Sequence, residues 1–161
     1  DGKHEDYERS ISSSQSCEFR CPECSHERDE SLLQEKVRLY LETLNYCITH
    51  EHSCTLVPHN PKTKFPMPFD NEIVNLKLLI EIHGSQHYEI NSYSSIWKDK
   101  DLTPEEQLHK RKLYDRYKKY VAFRNGYFYL EIPYWTDDKH ATWKQLIDNK
   151  INEILKAKSV A

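Results

Sequence analysis

The sequence predicts an α/β or α+β sandwich, in which a central mixed sheet is flanked by helices. Three observations predict this class. Residues 78–83 (LLIEIH) form a short apolar run of the kind that makes a buried strand. Helix signals occur in three longer segments, near residues 31–45, 104–123 and 137–156. Between them lie further segments rich in aromatic and branched side chains, which favour strands.

Size and composition suit one folded domain. The chain has 161 residues, of which 37% are hydrophobic, and a chain of this length can bury a real core. No apolar run approaches the roughly 20 residues that span a bilayer, and we expect a cytoplasmic protein. The first residue is Asp1 and not Met, so we expect either a processed N-terminus or a chain excised from a longer polypeptide, whose other domains would then be candidate partners.

The first 30 residues divide into two parts. Residues 1–16 are polar, rich in serine and without periodicity, which predicts a flexible tail. Residues 17–30 form a segment too short to fold by burial alone, and a bound metal would remedy this. This second part contains three cysteines, Cys17, Cys21 and Cys24. The remaining residues, 31–161, are the predicted folded domain.

The cysteine spacing leaves three interpretations open. In the first, a zinc knuckle binds Zn²⁺ through the three thiolates and a fourth ligand. The candidates for that ligand are His26, Cys47, His50, His52 and Cys54. In the second, the cysteines are free. In the third, the Cys-x3-Cys-x2-Cys spacing resembles that of radical SAM enzymes, although Glu23 stands where that family has an aromatic residue and the chain is short for its barrel.

The first helix is predicted by a capping box and an apolar stripe. Ser31 is followed by Gln34 at the spacing of a capping box. Apolar residues then recur at helical spacing, at Leu33, Val37, Tyr40, Leu41 and Leu44. Residues 46–64 show no clear period and predict a loop or a short edge strand.

The strands follow from alternation and turn signals. Residues 65–74 and 77–83 predict an antiparallel hairpin joined at Asn75 and Leu76. Residues 127–132 (YFYLEI) predict a third strand.

Two further helices complete the predicted domain. One begins at Pro104, because proline suits the first turn, and stops at Asn125-Gly126. The last begins near Asp137 to Asp138 and runs to about Lys156. Its predicted inner face contains Trp143, Leu146, Ile147, Ile151 and either Ile154 or Leu155.

The second strand of the hairpin carries polar side chains that a buried strand does not normally contain. A buried Glu81 is costly unless a cation compensates its charge. Asp70 lies eleven residues earlier, and a tight hairpin can bring the two carboxylates together. Paired carboxylates are ligands that Mg²⁺ or Mn²⁺ prefers. His83 should share the strand face of Glu81, because side chains alternate with period two.

The segment FDNEIVNLKLLIEIHGSQHY, residues 69–88, resembles the core of the PD-(D/E)XK nuclease superfamily. Together with HKRKLYDRYKK, residues 109–119, it is similar to the branch that contains the very-short-patch mismatch-repair endonuclease and the E-D-x-H-D homing endonucleases. The resemblance covers roughly residues 31–135. It implies a metal-dependent endonuclease that hydrolyses phosphodiester bonds in double-stranded DNA.

The resemblance assigns the metal ligands residue by residue. Asp70 matches the metal-binding aspartate. Glu81 occupies the acidic position of the Glu-x-Lys element, and His83 stands where lysine would be. The backbone carbonyl near Ile82 would be a further metal ligand.

The resemblance also implies which groups handle protons. One of His83 and His87 would be the base, because imidazole titrates near neutral pH, and the other would stabilise the phosphate. Asp115 matches the final acid of the pattern, and Lys118 follows it in the basic helix.

The initial acid of the pattern is where the sequence departs from the family. The family's glutamate falls at the capping-box position, which here is Gln34. Glu35 is adjacent, but the apolar stripe predicts that it points away from the core. The alternative function is therefore a catalytically impaired nucleic-acid-binding module with the same fold.

Basic residues are concentrated in residues 110–124, which carry seven bases and one acid although the net charge of the whole chain is −3. Such a stripe predicts contacts with DNA phosphates, and a solvated helix face is the alternative. The residues expected to contact DNA are Lys110, Arg111, Lys112, Arg116 and Lys119.

Overall fold

The computed structural model of the protein describes residues 31–90 and 102–160. Its helices and strands are, in chain order, α1 (Leu32–Thr43), β1 (Ile48–Glu51), β2 (Phe69–Ile73), β3 (Leu78–His83), α2 (Pro104–Arg124), β4 (Phe128–Pro133) and α3 (Thr142–Val160). Short 3₁₀ turns lie at Val74–Leu76, Ser85–His87 and Tyr134–Thr136. The predicted tail and cysteine cluster lie outside the described residues.

The four strands form one open mixed sheet in the order β1-β2-β3-β4. The first three strands are antiparallel neighbours, and β4 runs parallel to β3. Helix α2 makes the connection between β3 and β4, because parallel strands need a long crossover. The fold is therefore α+β, with a mixed sheet flanked by helices, and the predicted class is confirmed at this level.

Helix α1 begins where the capping box predicts. The Ser31 side chain accepts a hydrogen bond from the Gln34 amide, and the Gln34 side chain accepts one from the Ser31 amide. The helix ends at Thr43, two residues before the predicted boundary. Its buried residues are Leu33, Val37 and Leu41.

The region before β3 contains one strand more than the predicted order of elements. For residues 46–64 the sequence predicted either a loop or a short edge strand. The structure has a strand there, β1, which pairs with β2. Strand β2 begins at Phe69 and not at residue 65. Pro66 and Pro68 precede it, and proline has no amide to give to a ladder. Lys77, in the left-handed conformation with φ 51°, ends the turn between β2 and β3.

Helix α2 keeps its predicted bounds to within one residue, with Asn125 at its end and Gly126 at φ 74°. Helix α3 begins at Thr142, four residues after Asp138, so the predicted start is wrong. The Asp138 carboxylate accepts hydrogen bonds from the amides of His140 and Thr142, which holds this segment in a turn. No helix within the described ranges has the length and apolar character needed to cross a membrane.

The two faces of the sheet are covered differently. Helices α1 and α3 pack on one face and form the main apolar core. Residues that belong to this core include Val37, Leu41, Ile73, Leu78, Ile80, Ile82, Ile132, Trp143, Ile147, Ile151 and Ile154. Of the two candidates for the inner face of α3, Ile154 is the core residue, because it is fully buried whereas Leu155 is 43% exposed. Helix α2 lies on the other face, over a smaller cluster of Cys54, Phe69, Leu79 and Ala122.

Candidate active site

Asp70 and Glu81 lie on neighbouring strands, β2 and β3, and both interact with the charge of Lys118 from helix α2. The β2–β3 ladder ends at the pair Asn71 and Ile80. The register of β2 with β1 shifts at the next position, so Asp70 lies at an irregularity of β2. The charge of Asp70 contributes to raising the pKa of Glu81, and the two carboxylates on which the predicted metal site depends are therefore near each other.

The Asp70 carboxylate is fixed by two hydrogen bonds. The Ile82 amide donates to Oδ2 at 2.6 Å, and the Gln34 side-chain amide donates to Oδ1 at 3.3 Å. Burial raises the pKa of Asp70, although the Ile82 hydrogen bond and the charge of Lys118 lower it in part. Gln34 reaches this position from the first turn of α1, which its own capping box holds in place.

Glu81 forms an ion pair with Lys118 from helix α2. The Lys118 ammonium also donates to the Pro68 carbonyl at 2.6 Å. Burial, together with the charge of Asp70, raises the pKa of Glu81 to about 8, and Lys118 opposes this shift. A buried carboxylate, Glu81, and a partly buried one, Asp70, thus lie near one ammonium, and carboxylate oxygens are the ligands that hard divalent cations prefer.

His83 is held by a carboxylate and a phenol. It is 2% exposed, and its Nδ1 lies 3.4 Å from Oε1 of Glu131. The Tyr88 hydroxyl donates to the same Glu131 oxygen at 2.5 Å and lies 3.3 Å from His83 Nδ1. The other ring nitrogen of His83, Nε2, is buried and has no hydrogen-bond partner among the described residues.

The carboxylate of Glu131 shifts the pKa of His83, and His83 shifts the pKa of Glu131. Burial lowers the pKa of His83, but the hydrogen bond and charge of Glu131, with the nearby acids, raise it more, so the net shift is upward. The hydrogen bond from His83 lowers the pKa of Glu131 to about 2. Glu131 is therefore ionised at neutral pH and holds the His83 ring in place.

His87 and Asp115 complete a second group beside His83. His87 Nδ1 lies 2.9 Å from Asp115 Oδ2. The rings of His83 and His87 stack, with centroids 4.1 Å apart and planes 10° apart. His83, His87 and Asp115 each offer one potential metal-ligand atom, and these three atoms lie within 4.8 Å of one another.

Glu131 is a site residue that the sequence analysis missed. It is the one acid in the predicted strand 127–132, and it pairs with Glu81 in the parallel register of β3 and β4. A carboxylate within an apolar strand is the same signal that identified Glu81. The sequence contains that signal. It does not show that Glu131 lies next to His83, because that contact depends on how β4 pairs with β3.

Other predicted site residues lie elsewhere. Glu35 is exposed on α1 and is not among the described residues that contact Asp70. Lys112, Arg116 and Lys119 are exposed on α2, as a DNA-contacting face requires. Arg111 donates to the Gln86 carbonyl. Lys110 is partly buried.

The zinc-knuckle residues Cys17, Cys21, Cys24 and His26 lie outside the described residues, so that site remains a prediction. Among the alternatives for the fourth ligand, Cys54 is buried, and its thiol donates to the Phe69 carbonyl at 3.5 Å. Burial and the charge of Glu72 raise the pKa of Cys54 to about 11. Its thiol is therefore a packing group of the small cluster, whereas Cys47 is exposed.

The face of the sheet under α2 thus offers two groups of cation ligands. Asp70 and Glu81 supply carboxylate oxygens, and the group around His83 supplies imidazole nitrogens with one carboxylate. Comparisons of this chain with protein-family models, with curated proteins and with solved structures find no match. The geometry of the site is therefore the basis on which a function is inferred.

Proposed function

We propose that the protein is a metal-dependent endonuclease of the PD-(D/E)XK type that hydrolyses phosphodiester bonds in double-stranded DNA. The observation that carries the proposal is a pair of neighbouring carboxylates on adjacent strands, the buried Glu81 and the partly buried Asp70, beside the Lys118 ammonium. These carboxylates and the Ile82 carbonyl would hold Mg²⁺ or Mn²⁺. The bound ion would neutralise phosphate charge and acidify a water molecule.

The surroundings of the carboxylate pair support the same chemistry. Lys118 supplies the ammonium that the Glu-x-Lys element would otherwise provide, but from helix α2 and not from β3. The imidazoles of His83 and His87 lie on the same face and are available to take a proton from attacking water. Glu131 and Asp115 orient these rings through their Nδ1 atoms.

The outer face of α2 supports DNA as the substrate. Lys112, Arg116 and Lys119 are exposed on the helix that also carries Lys118 and Asp115 toward the site. A phosphate backbone that these side chains bind would therefore run beside the carboxylate pair.

Plasmid cleavage tests this proposal. The full chain should nick or linearise supercoiled plasmid with Mg²⁺ or Mn²⁺ and not with EDTA. Asp70→Ala and Glu81→Ala should each lower the rate by about 100-fold or more, because each removes charge that holds the ion. Retention of metal-dependent cleavage in both variants would contradict the proposal.

A matched control is available on the same strand. Glu72 is a buried carboxylate of β2 that accepts a hydrogen bond from the Thr55 amide and pairs in register with Leu79. Glu72→Gln removes one buried charge from the same face outside the proposed site. This variant should keep cleavage within a few-fold of the unsubstituted protein.

One observation favours the alternative, a nucleic-acid-binding module without turnover. The position of the family's initial acid is taken by Gln34, whose amide donates to Asp70 and adds no negative charge. In that case the protein should bind DNA in a salt-dependent way and leave plasmid intact with every divalent ion. Lys112→Ala and Arg116→Ala should then weaken binding and reduce its salt dependence by about one counterion each.

A further inference from the structure

We infer that His83, His87 and Asp115 form a second metal site, separate from the Asp70–Glu81 pair, that binds a transition ion such as Zn²⁺. Two imidazoles and one carboxylate are a ligand set that suits Zn²⁺ and its analogue Co²⁺, whereas Mg²⁺ prefers oxygen ligands alone. The three side chains come from the end of β3, the following 3₁₀ turn and helix α2. The fold itself therefore assembles the set.

The geometry is close to that of a bound site. Ligands at about 2.0–2.2 Å from one tetrahedral Zn²⁺ lie roughly 3.3 to 3.6 Å from each other. His87 Nδ1 and Asp115 Oδ2, at 2.9 Å, are already near this separation. One ligand atom of each side chain lies within 4.8 Å of those of the other two, so a small movement of the side chains would bring all three to one ion.

An independent observation points to a missing ligand at His83. Its Nε2 is buried and lacks a hydrogen-bond partner among the described residues, which is rare for a buried polar atom. Its Nδ1 faces Glu131 and Tyr88. Nε2 is therefore the ring nitrogen that remains for an ion, and an ion would remove the cost of its isolation.

The groups behind the ligands are those that zinc sites use. Histidine ligands usually direct their second ring nitrogen to a carboxylate, and Glu131 takes this position behind His83. Asp115 and Glu131 together carry two negative charges, which a divalent ion balances when both imidazoles are neutral. Three protein ligands leave a coordination position for water, as in catalytic zinc sites.

The binding claim stands without the nuclease proposal, but its mechanistic consequence rests on that proposed function. His83 lies two residues from Glu81 on the same strand face. In a nuclease, a water bound at the second site would have its pKa lowered to about 7. The histidines would then act by holding that water and not as free bases.

Metal titration of the full chain tests the inference. The three N-terminal cysteines are replaced by Cys17→Ser, Cys21→Ser and Cys24→Ser, so that their thiolates do not bind the probe. Co²⁺ is followed by visible absorption and Zn²⁺ by calorimetry, at pH 8 to keep imidazoles unprotonated. We expect about one equivalent bound, with about 100-fold weaker binding in His87→Gln and in Asp115→Asn.

Three further variants separate this site from its surroundings. Glu131→Gln leaves all three ligands in place and should weaken binding about 10- to 100-fold. His109→Gln replaces an exposed histidine on α2. It should bind Co²⁺ and Zn²⁺ as tightly as the protein that carries only the three cysteine substitutions, which is the background for all these variants. Asp70→Asn should keep Zn²⁺ binding even though it disrupts the proposed Mg²⁺ site. Circular dichroism checks that each variant is folded.

The outcomes separate the two proposals. The inference is overturned if the background binds no equivalent of Co²⁺ or Zn²⁺, or if His87→Gln and Asp115→Asn bind as tightly as His109→Gln does. Binding that follows the expected pattern in a protein that never cleaves plasmid supports the metal site and overturns only the nuclease proposal.

Discussion

The two faces of the sheet are built from the same strands and differ in almost every other respect. Against α1 and α3 the strands present aliphatic side chains that pack into one continuous core. Against α2 they present a small apolar cluster and, beyond it, the carboxylates of Glu81 and Glu131 and the imidazole of His83, and α2 itself brings the Lys118 ammonium. Strand β3 shows the contrast within six residues. All six are buried, and successive side chains point to opposite faces of the sheet.

This difference separates stability from chemistry. Leu78, Ile80 and Ile82 of β3 contribute apolar burial, which stabilises the fold in proportion to the area removed from water. Glu81 and His83 follow Ile80 and Ile82 along the chain, and their side chains point to the opposite face, where burial of charge opposes folding. One face can therefore hold a costly group of charges because the other supplies the core.

The largest expected effect is the loss of packing on the apolar face. Ile80→Ala should lower the free energy of unfolding by about 2 to 5 kcal/mol, since Ile80 is fully buried in the main core. Glu81→Gln, one residue away on the other face, should change stability by less than about 1.5 kcal/mol or increase it. In this variant Asp70 is the carboxylate that remains near Lys118 to balance its positive charge.

Urea unfolding of both variants measures this difference. Leu113→Ala, at an exposed position on α2, is a control for loss of apolar side chain without burial. The comparison of the two faces fails if Glu81→Gln destabilises the protein more than Ile80→Ala does.

The charged face should also give stability a pH dependence that the apolar face lacks. The pKa of Glu81 is raised by burial, and by Asp70, from 4.5 to about 8. The folded state therefore binds a proton that the unfolded state has lost across this range. Stability should fall as the pH rises from about 5 to 8, by up to about 1.4 kcal/mol per pH unit from this group.

Unfolding measured in EDTA across this pH range tests the expectation. Glu81→Gln should remove the Glu81 part of the slope, whereas Ile80→Ala should lower stability equally at every pH. An unchanged slope in Glu81→Gln would mean that this carboxyl does not carry the shift.

A smaller effect should follow from the residue that departs from the family pattern. Gln34→Glu keeps a side chain that completes the capping box and adds a third carboxylate next to Asp70. If the protein is a nuclease, the Mg²⁺ concentration for half-maximal cleavage should fall about tenfold, because affinity rises with ligand charge. Without metal, repulsion from Asp70 should lower stability by no more than about 1 kcal/mol.

The control is Gln145→Glu, which adds the same charge at an exposed position of α3. It should leave both the Mg²⁺ requirement and stability unchanged. An Mg²⁺ requirement that is the same in Gln34→Glu and Gln145→Glu would show that Gln34 does not border the ion.

Local signals were sufficient for most of the fold. The capping box at Ser31, the proline at the start of α2 and the glycine after it act within a few residues, and all three marked true boundaries. The start of α3 was wrong because a side chain competed with the backbone. Asp138 bonds forward to the Thr142 amide, and no periodicity in the sequence reports that bond.

The candidate site was predictable only where its members are neighbours along the chain. Glu81 and His83 share a strand face through period two, and the hairpin carried Asp70 to them. Glu131 joins His83 through parallel pairing across a crossover of more than 40 residues. Such pairing depends on strand order and register, which the sequence of either strand alone does not specify.

The sequence by itself determined the helices, the buried strand and the types of chemical group at its end, because propensity, capping and alternation are local effects. Tertiary structure decided which of those groups meet. It set Lys118 on Glu81, Glu131 on His83 and Asp115 on His87. The reason is that electrostatic and metal-binding interactions act over a few ångströms in space, and only sheet register and the docking of α2 fix those distances.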